Sequence, residues 1–151
     1  MTKAKLNPRT PFVVGGSIEL GYLQDQNSPT MHENLAVEKI AGLLRGPARP
    51  EAIVAMNDLV AMLVFEAAEQ VGLRVPVDLG IVGFDNLDSA VTSNLTTVAQ
   101  RPYEIGSEAA RLLLQRIRGD KDASKQIQLP TQLIIRGSSL NPNKPKVLAG
   151  S

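Results

Sequence analysis

The spacing of apolar residues changes period twice between Ile53 and Asn86, in the stretch IVAMNDLVAMLVFEAAEQVGLRVPVDLGIVGFDN. Ile53 to Met56 is a short apolar run interrupted by Asn57-Asp58, and from Leu59 to Val71 apolar positions recur at helical spacing until Gly72 ends them. Leu79 to Phe84 is a second apolar run, with Gly83 inside it and Asp85-Asn86 at its end. The pattern predicts a strand, a helix and a second strand, each strand stopping at an acid and an amide. In an open parallel sheet, ligands occupy the crevice beyond the carboxyl ends of the strands, so Asn57, Asp58, Asp85 and Asn86 would share one rim.

The same reading extends to both sides. Residues Met1 to Pro11 carry Lys3, Lys5 and Arg9 with two prolines and read as a solvated arm. Phe12 to Val14 with Gly15-Gly16 suggests a strand and turn, Ile18 to Leu23 a further short strand, and Gln24 to Thr30 a polar loop. From His32 to Leu44 the positions Leu35, Ala36, Ile40, Leu43 and Leu44 form one face of a helix that Gly46-Pro47 ends. Leu87 to Asn94 is a short helix or loop, Leu95 to Ala99 a third strand, and Tyr103 to Arg118 a strong amphipathic helix with Ile105, Ala109, Leu112, Leu113 and Ile117 on one face. Gln126 to Leu129 and Gln132 to Arg136 read as short strands broken by Pro130. These elements divide the chain into an arm over 1–30, an α/β lobe over 31–140 and a tail over 141–151. The fold class they predict is α/β, a three-layer parallel sheet with flanking helices.

Composition narrows the function classes. The 151 residues amount to one ordinary domain, with 43% hydrophobic and 21% charged residues, which fits a soluble globular protein. Sixteen basic against 15 acidic residues leave a net charge of +1, so no strong field directs the chain to nucleic acid or to an anionic membrane. The absence of Cys removes disulfides and thiolate chemistry, and fits a reducing compartment. No apolar run approaches the ~20 residues that span a bilayer, and the start MTKAKLNPRTPFVVGG lacks a signal peptide's apolar centre, so the cytoplasm is the expected location.

Candidate chemistry is sparse. Gly15-Gly16 followed by Ser17, Ile18 and Glu19 does not complete a dinucleotide fingerprint, and His32, the only histidine, has no second metal ligand at a useful spacing. No cofactor or metal is therefore expected. Asp85 and Asp88 could pair as acid and base, yet no nucleophile, histidine or metal set accompanies them, which argues against an enzyme. Asp58 has two readings: an N-cap for the following helix, or a carboxylate that accepts two hydroxyl hydrogen bonds from a polyol or an N–H from a base. Gln100 and Arg101 follow the third strand and would line the same crevice.

Four motifs in order, AMNDLVAM at 55–62, GLRVPVDLGIVGFDN at 72–86, LTTVAQRPYEIGSEAARLLLQRI at 95–117 and LPTQLIIRGSS at 129–139, make the stretch Leu35 to Ser139 resemble the effector-binding core of LacI/GalR-type bacterial transcription regulators. The resemblance implies one lobe of a type I periplasmic-binding-protein-like fold, in which two α/β lobes close on a small effector, commonly a sugar, and a helix-turn-helix binds DNA. It assigns effector contact to Asp58 first, with Asn57, Gln100 and Asp85 beside it, and gives Asp85 and Asn86 chiefly a turn-shaping role. Nothing in residues 1–34 resembles the headpiece, so the chain is expected to be a truncated lobe that meets DNA only through a headpiece it lacks. The helix over Tyr103–Ile117 would then miss its usual partner. Ile105, Leu112, Leu113 and Ile117 are expected either to repack on their own lobe or to join a second copy, giving a homo-oligomer. The alternative function is a dimerising interaction module without a ligand of its own.

Overall fold

A computed structural model describes residues 29–119 and 126–143. The arm, the segments Phe12–Val14 and Ile18–Leu23, the His32 side chain and most of the tail lie outside the described residues. Helix α1 (Pro29–Arg45) is followed by β1 (Ala52–Val54), α2 (Asp58–Gln70), β2 (Gly80–Phe84), the short α3 (Asp88–Thr92), β3 (Thr96–Ala99), α4 (Pro102–Ile117) and β4 (Gln132–Ile134), and a 3-10 turn covers Gly137–Ser139. The sheet order is β1-β2-β3-β4. The first three strands are parallel and joined through helices, as the change of period predicts.

Three particulars differ from the expectation. The fourth strand pairs antiparallel with β3, Thr97 opposite Ile134 and Ala99 opposite Gln132. Gln126–Leu129, expected as a strand, has no regular structure, because Pro130 ends the run and no strand among the described residues pairs with it. Helix α1 also starts earlier than its polar flank suggested, at Pro29, where a proline suits a first turn.

Helices α1 and α2 pack on each other, and α2 packs on β2. On α1 the buried face is Ala36, Val37, Ile40, Ala41 and Leu44; Leu35 points to solvent and Val37 takes the core position. On α2 it is Ala61, Val64, Ala67 and Ala68 with Asp58, and the alanines let the helix approach both neighbours closely. Gly72 stops α2 in the left-handed region (φ 73°), so that its N–H reaches Glu69 O at 3.0 Å while Leu73 N–H reaches Ala68 O at 2.9 Å. That pair of bonds is a Schellman ending, which a side-chain-bearing residue at 72 would strain. The register Ile53–Ile81 and Gly83–Thr97 puts these residues on the sheet face toward the helices. Val54, Val82, Phe84, Val98 and Leu133 share the other face, where Val54 is 79% exposed.

The amino-terminal ends of β2 and β3 are closed by a clasp from the chain's far side. Ser138 Oγ donates to Ile81 O at 2.6 Å and accepts from Thr96 N at 2.8 Å, while Thr96 Oγ1 bonds Ser139 Oγ at 2.7 Å and Arg136 O at 3.0 Å. Helix α4 contributes no buried side chain.

Candidate functional site

The carboxyl ends of β1, β2 and β3 converge on one rim, and the two residues at the first end divide the work between them. Asn57 is the cap of α2: its Oδ1 accepts from Val60 N at 2.8 Å. Among the described residues its Nδ2 makes no hydrogen bond. Asp58, expected as the main effector contact or as the cap, is not the cap, since Asn57 takes that place. It is 0% exposed, with Oδ1 accepting from Thr97 Oγ1 at 2.6 Å and Oδ2 accepting from Leu87 N at 2.7 Å. A carboxylate that far from solvent and bonded on both oxygens cannot receive a ligand without the rim opening.

The second end is the turn Asp85-Asn86. Both residues have positive φ, 101° and 56°, a region that side-chain-bearing residues seldom occupy and that Asp and Asn tolerate best. Three sets of bonds fix it. Asp85 N donates to Val98 O at 2.9 Å, Asn86 Oδ1 accepts from Arg136 Nη2 at 2.8 Å, and Leu87 N reaches Asp58. Arg136 is itself anchored by Nη1 to Leu95 O at 2.7 Å. The turn-shaping role expected of Asp85 and Asn86 is present, but Asp85 does more: its Oδ1 accepts from Gln100 Nε2 at 2.6 Å across the ends of β2 and β3. The pair is solvent-accessible and, with Asn57, presents a carboxylate and two amides along one edge.

Gly83 explains how the buried carboxylate fits. A Cβ at this position would overlap Asp58 Oδ1 and come within 2.8 Å of Leu95 Cδ2, so only glycine leaves room for Asp58 against the sheet. Thr97, Arg136 and Gly83 were not singled out from the sequence. Thr96-Thr97, a polar pair inside a buried strand, was the available signal for the first of them.

Arg101 lies just beyond Gln100 and pairs with Glu104 at 3.1 Å on the first turn of α4. Ile105, Ala109 and Leu112 line a groove between α4 and residues 127–131, with Ile127 and Leu129 opposite. Leu113 and Ile117 instead point outward, 61% and 71% exposed. The four residues expected to act together are therefore split between two faces of α4, and none of them is buried. Among the described residues no three His, Asp or Glu side chains could hold a metal ion, and no helix is long and apolar enough to cross a membrane.

This rim and sheet are matched by known proteins. The family model for the periplasmic binding protein-like domain matches residues 16–139, starting ahead of Leu35, where the motif resemblance begins. The HTH-type transcriptional repressor CytR of Escherichia coli K12 is 42% identical over 99 residues, 64% of this chain and 29% of that protein. The HTH-type transcriptional regulator KdgR of Bacillus subtilis is 37% identical over 94 residues, 61% of this chain and 28% of that protein. The chain thus spans less than a third of the length of these relatives. A LacI family regulator from Enterococcus faecium solved with bound ribose superposes with a TM-score of 0.63 at 32% identity, over 74% of this chain and 41% of that one. The regulator CelR in complex with cellobiose gives 0.64 at 30% identity, over 71% and 33%. The chain belongs to the periplasmic binding protein-like domain family, in the form that LacI-type transcription regulators carry.

Proposed function

We propose that this chain is an effector-binding regulatory lobe without catalytic activity, that its effector is a sugar, and that Asp85, Gln100 and Asn57 supply the polar contacts. The observation that carries the reading is the Asp85–Gln100 pair, 2.6 Å apart and open to solvent where the strands end. A carboxylate beside an amide offers acceptors and donors at the spacing of adjacent hydroxyls on a sugar ring. The relatives solved with ribose and cellobiose support the ligand class. In a complete regulator, DNA contact falls to a helix-turn-helix outside this lobe, and the location is the cytoplasm.

The contacts named here lie on one wall of a cleft, and amide chemical shifts read them residue by residue. Titration of the labelled chain with ribose, cellobiose and a nucleoside panel to millimolar concentration should move the Asp85, Gln100 and Asn57 signals together. Asp85→Ala should abolish the response. Shifts scattered elsewhere, or none with any ligand, would rule the reading out.

A second reading, self-association through α4, rests on a separate observation: Leu113 and Ile117 are exposed on a helix with no buried residue. Leaving such side chains in water forgoes roughly 1.5–3 kcal/mol each. A second copy of the chain is the proposed cover. Sedimentation should then show a concentration-dependent dimer that Leu113→Glu with Ile117→Glu converts to monomer, and a wild-type monomer at all concentrations would refute it.

A further inference from the structure

The buried carboxylate of Asp58 has no direct part in the proposed binding, although it stands at the centre of the rim. We infer that Asp58 is a positioning residue that holds Asp85 in its ligand-facing conformation, by way of the Leu87 amide and the Thr97 hydroxyl. The inference rests on the proposed effector reading for its functional meaning, but its geometry stands apart from it.

A carboxylate withdrawn from water is expensive unless its lone pairs are filled. Asp58 meets that condition with one partner just after β2 and one inside β3, 29 and 39 residues away in the chain, and it sits in the first turn of α2, where the helix dipole favours negative charge. One side chain therefore ties the turn after β1 to the loop after β2 and to β3 itself.

The tie to β2 falls next to two consecutive left-handed residues. Asp85 and Asn86 at φ 101° and 56° persist only if their surroundings over-determine them. On the amino-terminal side the turn is held by Asp85 N–H on Val98 O, and in the middle by Arg136 on Asn86. On the carboxyl-terminal side Asp58 Oδ2 holds the Leu87 N–H. Removing it frees one end of the turn, and an Asp85 relaxed toward an extended backbone would lose the bond that aligns it with Gln100 Nε2. Thr97 Oγ1 adds the lateral constraint, since it donates to Asp58 Oδ1 and lies 3.4 Å from Asn86 N.

The test uses the full chain, labelled with 15N, with Asp58→Ala, the conservative Asp58→Asn, and Thr97→Val. Hydrogen exchange at Leu87 and the three-bond HN–Hα coupling of Asp85 are the readouts, because a left-handed φ keeps that coupling small and an extended backbone raises it. In Asp58→Ala, Leu87 should exchange at least tenfold faster while Val64 and Ala68 inside α2 keep their protection, and the Asp85 coupling should rise. Asp58→Asn, which retains one acceptor, should restore most of both. If Asp58→Ala does not fold, Thr97→Val gives the same comparison in milder form. Loss of protection spread evenly over the domain, with the Asp85 coupling unchanged, would overturn the inference and leave Asp58 a plain stability residue. A ribose titration of the same variants separates the two readings: if the wild type shows no response, the effector reading fails, and exchange and coupling still decide the positioning role.

Discussion

Replacing Thr97 by valine removes one hydroxyl from the centre of the rim and leaves the shape of the side chain almost unchanged. The site is 0% exposed, and so is Asp58, whose Oδ1 takes the Thr97 hydroxyl at 2.6 Å. No water can replace that donor without the lobe opening, so one carboxyl oxygen is left unpartnered. A hydrogen bond to a charged group contributes about 1.5–3 kcal/mol, and an unsatisfied buried acceptor sets the cost at that level. Near about 4 °C per kcal/mol for a domain of this size, the melting temperature should fall by roughly 6–12 °C. Thr97→Ser is the control, since it keeps the hydroxyl and loses one methyl, worth about 0.8 kcal/mol. Thermal and urea unfolding followed by circular dichroism would measure both. Equal losses in the two variants, or a valine variant as stable as the wild type, would show that the Thr97–Asp58 bond contributes nothing net.

Two further outcomes follow from other contacts. Gly83→Ala drives a methyl into Asp58 Oδ1 and Leu95, and neither can move far inside the core; an overpacking loss of about 1–3 kcal/mol in urea unfolding is expected, with the Leu87 amide signal displaced. Asp78 has its carboxyl lowered from 3.8 to about 2 by the Arg74 side chain, whose guanidinium bonds both oxygens, and by the Arg74 backbone N–H. Because the folded value lies below the unfolded one, the stabilising effect is complete above about 4 and is lost as the pH falls toward about 2. Side-chain carbon shifts should place the Asp78 midpoint near the lower value, and Arg74→Gln should raise it toward 3.8.

The parts of the fold legible in the sequence are those set by local periodicity. The unit from Ile53 to Asn86 is readable because its pattern passes from a short apolar run to a 3.6-residue period and back, and Gly72 marks a helix end that only local geometry determines. The division of labour between Asn57 and Asp58 was not readable. Both are capping types at the same boundary, and what separates them is a backbone amide 29 residues on and a hydroxyl 39 residues on, which no local window contains. The same holds for Gln126–Leu129, where β propensity had no strand to pair with, and for α4, whose amphipathic face is plain while its cover is not. The rim itself could be placed in advance because strand ends in parallel sheets gather there whatever the side chains.

The Ser138 clasp bears on the order in which this lobe assembles. β1, β2 and β3 are neighbours both in the chain and in the sheet, so their pairing closes short loops, whereas the Ser138 bonds join positions 42 and 57 residues apart. Contacts of such sequence separation carry the larger loop-closure entropy, and we expect the clasp to close after the rate-limiting barrier, which equal refolding rates with and without the Ser138 hydroxyl would show. Loss of the Ser138 hydroxyl would therefore leave the refolding rate nearly unchanged and accelerate unfolding, so that the clasp governs how long the lobe stays folded rather than how fast it gets there.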